Sequence, residues 1–462
     1  MTKKMRTEKD LLGELEVPKN AYWGINTQRA IQNFQISQKR FPKIFLLSLA
    51  KVKRACLEAN HKLGKIDKTN EVIYQAIDEL LKDGKFLDKF PVDVFQTGSG
   101  TQINMNMNEV LANRANELLG FQLGKKKPIH PNDHVNMSQS SNDVIPTTMH
   151  LSIVELIQAK LIPSLDSIFS SLEQKIKEFK KIVKIGRTHL QDAVPIPLST
   201  EFAVYKKQIG TAKERINQTL IELYYLPIGG TALGTGLNAP EGFSKLVVES
   251  LTNMTGYPFK INPVKAEGIS SHNTIVQTSS VLRNLALSLM KMANDIRWMG
   301  SGPRAGLGEL LLPQNEPGSS IMPGKINPTQ SEALIQVGLQ VLGNDTTICS
   351  AEAHGSILDL NVTKPIMIVN ILESIEILAN GINSFEKNCL KGLQVNQKQI
   401  DHYLERSLMV VTKLSPIIGY EKAGEIARLA FERDKTIKEV VKEIGIKISV
   451  DIDELLDPKK MV

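Results

Sequence analysis

Ser319, Lys325 and Asn327 stand in one short run, Glu316-Pro-Gly-Ser-Ser-Ile-Met-Pro-Gly-Lys-Ile-Asn-Pro328. A hydroxyl, an ammonium and an amide this close, in a loop rich in glycine and proline, can meet one anionic ligand together with free backbone N–H groups. The glycines also give the loop freedom to move. The chemistry this suggests is an active-site lid carrying a catalytic serine. Lys325 reads either as a solvated loop lysine or as the cation that fixes a carboxylate. Asn327-Pro-Thr-Gln330 also fits a capping box with Pro328 at the first helical position, so Asn327 reads as ligand or as cap. The stretch before the lid, Gly300-Ser-Gly-Pro-Arg-Ala-Gly-Leu-Gly308, is dense in glycine.

Three more loops share the lid's chemistry: Gly98-Ser-Gly-Thr101, Ser140-Ser-Asn142 and Gly186-Arg-Thr-His189. With the lid they offer hydroxyls, amides, an imidazole and an ammonium, and no carboxylate cluster for a metal. That set suits a small dianion. Taken singly each has a plainer reading: Gly98-Ser-Gly-Thr as a helix N-terminus, Asn142 as an N-cap. His189 is an acid/base candidate by residue type, against a surface or structural histidine. His130 and His134 have the spacing of a helical zinc pair. Pro131, Asn132 and Asp133 favour a turn there, and no third ligand follows, so no metal is expected.

The elements that must position these loops are mostly helices. Residues 1–140 look mixed but mostly helical. Leu15–Pro18 and Ala21–Gly24 read as extended, helical patterns cover 43–64 and 70–83, and Asn104–Leu119 has helix-forming character. Val154, Ile157, Leu161, Leu165, Ile168, Leu172, Ile176 and Phe179 recur every three or four residues, a long helix stripe with Pro163 predicting a kink. Phe202–Leu223 and Leu282–Ile296 repeat the pattern, and 329–353 and 365–383 continue it. These lengths exceed the usual mean of about 11–12 residues and imply an elongated bundle. Two-sided stripes on it are naturally covered by further copies of the chain. Beyond about residue 390 the helices shorten. Ser407–Gly419 and Tyr420–Arg433 read as two helices split by Pro416 and Gly419, with Thr436 capping another. The expected domains are 1–140, a central bundle over 141–362 and a small helical domain over 363–462.

Composition narrows the class. Apolar residues make up 42 % and charged residues 23 %, an ordinary globular balance. No apolar run reaches the roughly 18–20 residues of a membrane span. The first ten residues carry charges of both signs and no hydrophobic core, unlike a secretory signal. Cys56, Cys349 and Cys389 are scattered, as in a reducing compartment. A cytoplasmic protein without membrane partners is expected. The net charge is +7, but basic and acidic residues alternate and aromatics are 5 %. A nucleic-acid partner is therefore not expected.

Gly318-Ser-Ser-Ile-Met-Pro-Gly-Lys-Ile-Asn-Pro328 resembles the signature of the fumarase/aspartase superfamily of lyases. Gln96-Thr-Gly-Ser-Gly-Thr-Gln102, His130-Pro-Asn-Asp-His-Val-Asn136, Ser138-Gln-Ser-Ser-Asn-Asp143, Gly186-Arg-Thr-His189 and Gly229-Gly-Thr-Ala-Leu-Gly-Thr-Gly236 resemble its other loops, so the likeness spans nearly the whole chain. Details favour the class II fumarase family over aspartases, which tend to carry Gln at His189, Asp at His134, Thr at Ser141 and Ala at Gly324. Met137 and Asn273 depart from the family pattern, outside the loops assigned to catalysis.

The resemblance implies a mainly α, three-domain fold and a homotetramer around a twenty-helix core, with each active site built by loops of three subunits. It implies reversible hydration of fumarate to (S)-malate through a carbanion, or aci-carboxylate, without a cofactor. Ser319 would be the base, supported by Lys325. His189 would be the acid partner through a water, oriented by Glu332. Ser99, Thr101, Ser140, Ser141, Asn142, Thr188, Lys325 and Asn327 would bind the dicarboxylate, and His130, Asn132 and Asp133 would form an accessory anion site. The rival readings are an aspartate ammonia-lyase or other sister lyase, a scaffold that has lost catalysis, and a basic nucleic-acid binder.

Overall fold

The computed structural model describes residues 4–67, 71–446, 448 and 450–462. The chain is mainly helical, and its strands form short two-stranded pairs. It divides into two compact units. One comprises Met1–Pro163, Glu214–Asn284 and Gln340–Leu378; the other comprises Ser164–Lys213, Leu285–Leu339 and Ala379–Val462.

The first unit opens with an antiparallel hairpin, Met5–Asp10 with Gly13–Pro18, paired from Met5↔Pro18 to Asp10↔Gly13. The extended reading of Leu15–Pro18 therefore holds, while Ala21–Gly24 forms bends rather than a strand. Helix Lys43–Lys62 packs against Ser141–Leu156 and Phe243–Thr255. Its apolar face, including Phe45, Leu49, Val52 and Cys56, is completely buried. Helix Ser141–Leu156 is buried almost all round, which explains why it lacks a polar stripe. It runs through a π turn at Ile157–Leu161 into Ile162–Glu178. The widened turn lies just ahead of Pro163, where an N–H is missing from the ladder.

Long helices Leu198–Leu223, Asn273–Met299, Thr329–Gly355 and Lys364–Phe385 each contribute residues to both units. Leu282, Leu285, Leu289, Met292 and Ile296 are all at most 1 % exposed, as their spacing predicts. Helix Lys364–Leu390 is long and apolar enough, by composition, to cross a membrane, which a reading by uninterrupted apolar runs did not single out. However, 61 % of its apolar window is buried inside the chain, the pattern of a core helix. It also carries Glu376, paired with Lys160 at 2.7 Å.

In the second unit, Val183–Thr188 and Gln191–Pro197 form an antiparallel hairpin with a bulge between Ile185 and Arg187. The C-terminal segment has its own core of Val410, Leu414, Ile426, Ile437, Val440 and Leu456. The expected helix over 407–419 is instead a 3-10 turn, Leu408–Lys413, followed by the single turn Ser415–Ile418. Pro416 sits in the first turn of the latter, where its missing N–H costs nothing, so Gly419 alone makes the break. Thr436 caps the next helix in a reciprocal box with Glu439.

Candidate active site

The first unit gathers two of the polar loops. Helix Thr101–Leu118 starts after Gly100, whose φ is +74°. Gly98 lies so close to the Val362 carbonyl that any side chain would overlap it, and its own carbonyl accepts the Lys364 N–H at 3.1 Å. The hydroxyls of Ser99 and Thr101 lie 2.8 Å apart, and those of Thr101 and Ser141 2.9 Å apart. Three expected ligands thus form one hydroxyl chain. Ser140, rather than Asn142, is the N-cap, in a reciprocal box with Asp143. The Asn142 amide is used elsewhere: it donates to the Ala232 carbonyl at 2.9 Å.

Asp143 holds this corner together and was not foreseen. One carboxylate oxygen accepts the Ser140 N–H, and the other accepts those of Gly229 and Thr231, each at 2.9 Å. Burial pushes its pKa up to about 6 against these bonds, which oppose the rise. The Ser140-x-x-Asp143 spacing was the available signal. Behind the loop, the buried Lys53 ammonium donates to Asn136 Oδ1 and Gln139 Oε1, both at 2.9 Å. Asn104 and Asn108 donate to the same Asn136 oxygen at 3.1 and 3.2 Å. Burial lowers the Lys53 pKa to about 7.

Asn132 and Asp133 lie in a single π turn, Pro131–Val135, and His130 caps it, so the segment is not a regular α-helix. His130 Nδ1 accepts the N–H groups of Asn132 and Asp133 at 3.3 and 3.2 Å. His134 Nδ1 accepts the His130 N–H at 2.8 Å. Both Nδ1 lone pairs are therefore engaged by backbone donors. Burial lowers the His130 pKa, and the Asp133 carboxylate opposes that shift. Among the described residues no group of three or more His, Cys, Asp or Glu side chains is placed to hold a metal.

The second unit carries the remaining candidates. Gly186–His189 is not a free loop: Gly186, Arg187 and Thr188 lie in a strand, and His189-Leu190 is the hairpin tip. Both tip residues have positive φ, 58° and 59°, as a type I′ turn requires. This conformation is costly for residues other than glycine. Thr188 and His189 are exposed.

In the lid, Ser319 Oγ accepts the N–H groups of Ile321 and Met322 at 3.2 and 3.0 Å. The Gly318 N–H donates to the Lys325 carbonyl at 2.9 Å. Asn327 Nδ2 donates to the Gly318 carbonyl. Asn327 is thus neither a helix cap nor a free amide; it closes the base of the lid. The helix begins at Thr329, and its first bond runs from the Glu332 N–H to the Pro328 carbonyl. Lys325 and Glu332 are exposed. Within one chain, His189 and Glu332 share no hydrogen bond or ion pair among the described residues.

This mainly helical chain, with the hydroxyls of Ser99, Thr101 and Ser141 linked at one corner, falls in the class of lyases. A family model described as lyase matches residues 13–343, and one described as the fumarase C C-terminus matches residues 410–462. The class II fumarate hydratase of Campylobacter jejuni is 49 % identical over 458 residues, 99 % of this chain and 98 % of that protein. The mitochondrial fumarate hydratase of Rhizopus oryzae is 48 % identical over 461 residues, 99 % of this chain and 93 % of that protein. The crystal structure of a class II fumarase from Schistosoma mansoni matches with a TM-score of 0.95 at 39 % identity, covering 99 % of both chains. The chain belongs to the class II fumarate hydratases.

Proposed function

We propose that the chain catalyses the reversible addition of water to fumarate, giving (S)-malate, with Ser319 as base. The observation that supports this reading is the pair of backbone N–H groups that donate to Ser319 Oγ in the same loop as the exposed Lys325. A serine hydroxyl is a poor base unless its alkoxide is stabilised, and fixed donors supply that stabilisation without reorganising. In the malate direction, the Ser319 alkoxide takes the C3 proton, and the electron pair spreads into the adjacent carboxylate as an aci-carboxylate. The pair then forms the C2–C3 double bond as the C2 hydroxyl leaves, protonated as water with help from His189 acting through a bound water.

Lys325 neutralises the growing carboxylate charge, so the site favours the transition state over the substrate. Ser99, Thr101, Ser140, Ser141, Asn142, Thr188 and Asn327 hold the two carboxylates, Asn327 chiefly by shaping the lid. His130, Asn132 and Asp133 form an accessory anion site. Glu332 orients His189 across a subunit boundary in a homotetramer whose sites each draw loops from three chains. That assembly supplies the His189–Glu332 pairing absent within one chain. Three domains, 1–140, 141–362 and 363–462, serve these roles. The cytoplasm is the compartment this reading favours, although one relative carries the name mitochondrial.

The test follows fumarate by its ultraviolet absorbance with malate, and separately with aspartate, as substrate. Fumarate from malate supports the proposal; fumarate and ammonia from aspartate alone would replace it with the sister-lyase reading. Ser319→Ala should abolish turnover while the assembly keeps its wild-type elution volume. A fully active Ser319→Ala variant would end the base assignment.

A further inference from the structure

The strained tip that carries His189 needs an anchor. His189 and Leu190 sit at positive φ with no glycine to relieve the conformation. Packing holds the base of the hairpin, where Val183 and Ile185 share a core with Ile400 and Leu404, but Leu190 at the tip is 69 % exposed. A cavity of about 300 Å³ adjoins the hairpin, lined in part by Lys184, Arg187, Leu190, Glu201 and Tyr205. Between that packed base and the exposed tip, the polar contacts of Arg187 are the support nearest His189.

Two residues before His189, the Arg187 guanidinium donates to Glu309 Oε1 at 2.8 Å. Glu309 is fully buried. Its other oxygen lies 3.4 Å from Lys184 Nζ, an ion pair without hydrogen-bond alignment. Lys184 in turn donates to Glu201 at 3.1 Å and to the Ile185 carbonyl at 2.8 Å. Arg187 also lies over the Tyr403 ring, 5.8 Å from its centroid.

Glu309 is itself fixed through its backbone. Its N–H donates to the Met299 carbonyl at 2.8 Å, and its carbonyl accepts the Asn396 N–H at 2.9 Å. The glycine-dense stretch noted in the sequence makes this placement possible. Gly302 and Gly308 have φ of +115° and +58°, and a side chain on Gly306 would come within 2.6 Å of the Ser301 backbone. The stretch is thus a folded turn that delivers a buried carboxylate to the hairpin.

We propose that Glu309 and Arg187 are positioning residues for the reaction: their ion pair locks the hairpin so that the His189 imidazole stays in register for proton transfer. The proposal rests on the reading of His189 as the acid partner. Neither residue touches substrate on this view. A displaced imidazole loses rate steeply, since a shift of about 1 Å can cost on the order of a hundredfold. Substrate binding is left to the other loops.

The experiment is a double-mutant cycle of Glu309→Gln with His189→Asn, with kcat and KM measured for malate in variants whose melting temperature and elution volume match wild type. Glu309→Gln alone should lower kcat roughly ten- to a hundredfold and leave KM within about threefold of wild type. On the His189→Asn background the same substitution should change kcat by less than about twofold, because the residue it positions is gone. Equal losses on both backgrounds, or a wild-type kcat for Glu309→Gln, would overturn the proposal. If His189→Asn alone keeps full kcat, the acid reading fails instead, and the two failures are distinguishable. Should Glu309→Gln not fold, Arg187→Lys enters the same cycle with the same criteria, since it keeps the charge and removes the planar fork.

Discussion

Replacing Gly318 by alanine tests the lid without touching a reacting group. Gly318 is pinned on both sides: its N–H donates to the Lys325 carbonyl at 2.9 Å, and its carbonyl accepts the Asn327 amide. A methyl group there would press into the Lys325 carbonyl oxygen and lie 2.9 Å from the Asn327 nitrogen and 3.0 Å from the Lys325 carbonyl carbon. All three are backbone atoms, so no side chain can swing away. Relief requires the two ends of the lid to part by roughly an ångström, which breaks both hydrogen bonds. At about 0.5–1.5 kcal/mol each, the loss is about 1–3 kcal/mol of lid closure. Each 1.36 kcal/mol corresponds to about tenfold in rate, so kcat/KM for malate should fall roughly ten- to a hundredfold. The melting temperature should barely move, because the lid is largely exposed. Gly324→Ala is the control. Its φ of +81° strains any side chain, but open space surrounds it, so a single local penalty of about 1 kcal/mol is expected. A Gly318→Ala variant with wild-type kcat/KM, or one no worse than Gly324→Ala, would refute the reasoning.

Two further outcomes are expected. Mixing a Ser319→Ala variant with a His189→Asn variant, after reversible dissociation, should restore part of the activity if loops from different chains complete each site; stable mixed assemblies with no recovery would argue for sites within one chain. Burial depresses the His150 pKa from 6.5 to about 4, so the unfolded chain binds more protons in that window. The histidine's contribution is intact above about pH 6.5 and is lost as pH falls towards 4, by on the order of 3 kcal/mol. The unfolding free energy of His150→Gln should therefore gain by that amount relative to wild type between about pH 7 and pH 4. An unchanged difference, measured by denaturant titration, would contradict it.

The long helices were legible because their apolar period coincides with the buried faces. The π turn at Ile157–Leu161 was not, because the apolar stripe runs through it unbroken: Ile157, Leu161 and Leu165 are all completely buried. The hairpin under His189 was missed for a different reason. Its tip is His-Leu, without the Asn-Gly or Asp-Gly that marks a two-residue turn, and Pro195 and Pro197 weaken the strand signal of Gln191–Pro197. Asn327 matched a capping pattern, yet its amide is spent nine positions back, on Gly318. Local spacing cannot show such a partner. The same holds for Lys53, whose acceptors Asn136 and Gln139 lie far along the chain. Candidate site residues were legible as types and motifs; the side chains that hold them depend on contacts no sequence window contains.

The lid's geometry alone does not make Ser319 a base. A hydroxyl accepting the N–H groups two and three residues ahead is a common turn, so something must turn an ordinary turn into a catalytic one. The lid's own composition supplies two such factors. Lys325 places an ammonium in the same loop, without a side-chain partner among the described residues, free to meet an anion. Ile321, Met322 and Ile326 are exposed by 81, 49 and 41 %, unusual for apolar residues in so short a segment. On the proposed reading, closure over a dicarboxylate buries these side chains and expels water from around Ser319. In that drier setting the N–H donors and the ammonium act more strongly on an alkoxide than they do in solvent. The apolar residues of the lid are then as much a part of the base as the hydroxyl, because they set the dielectric in which it works.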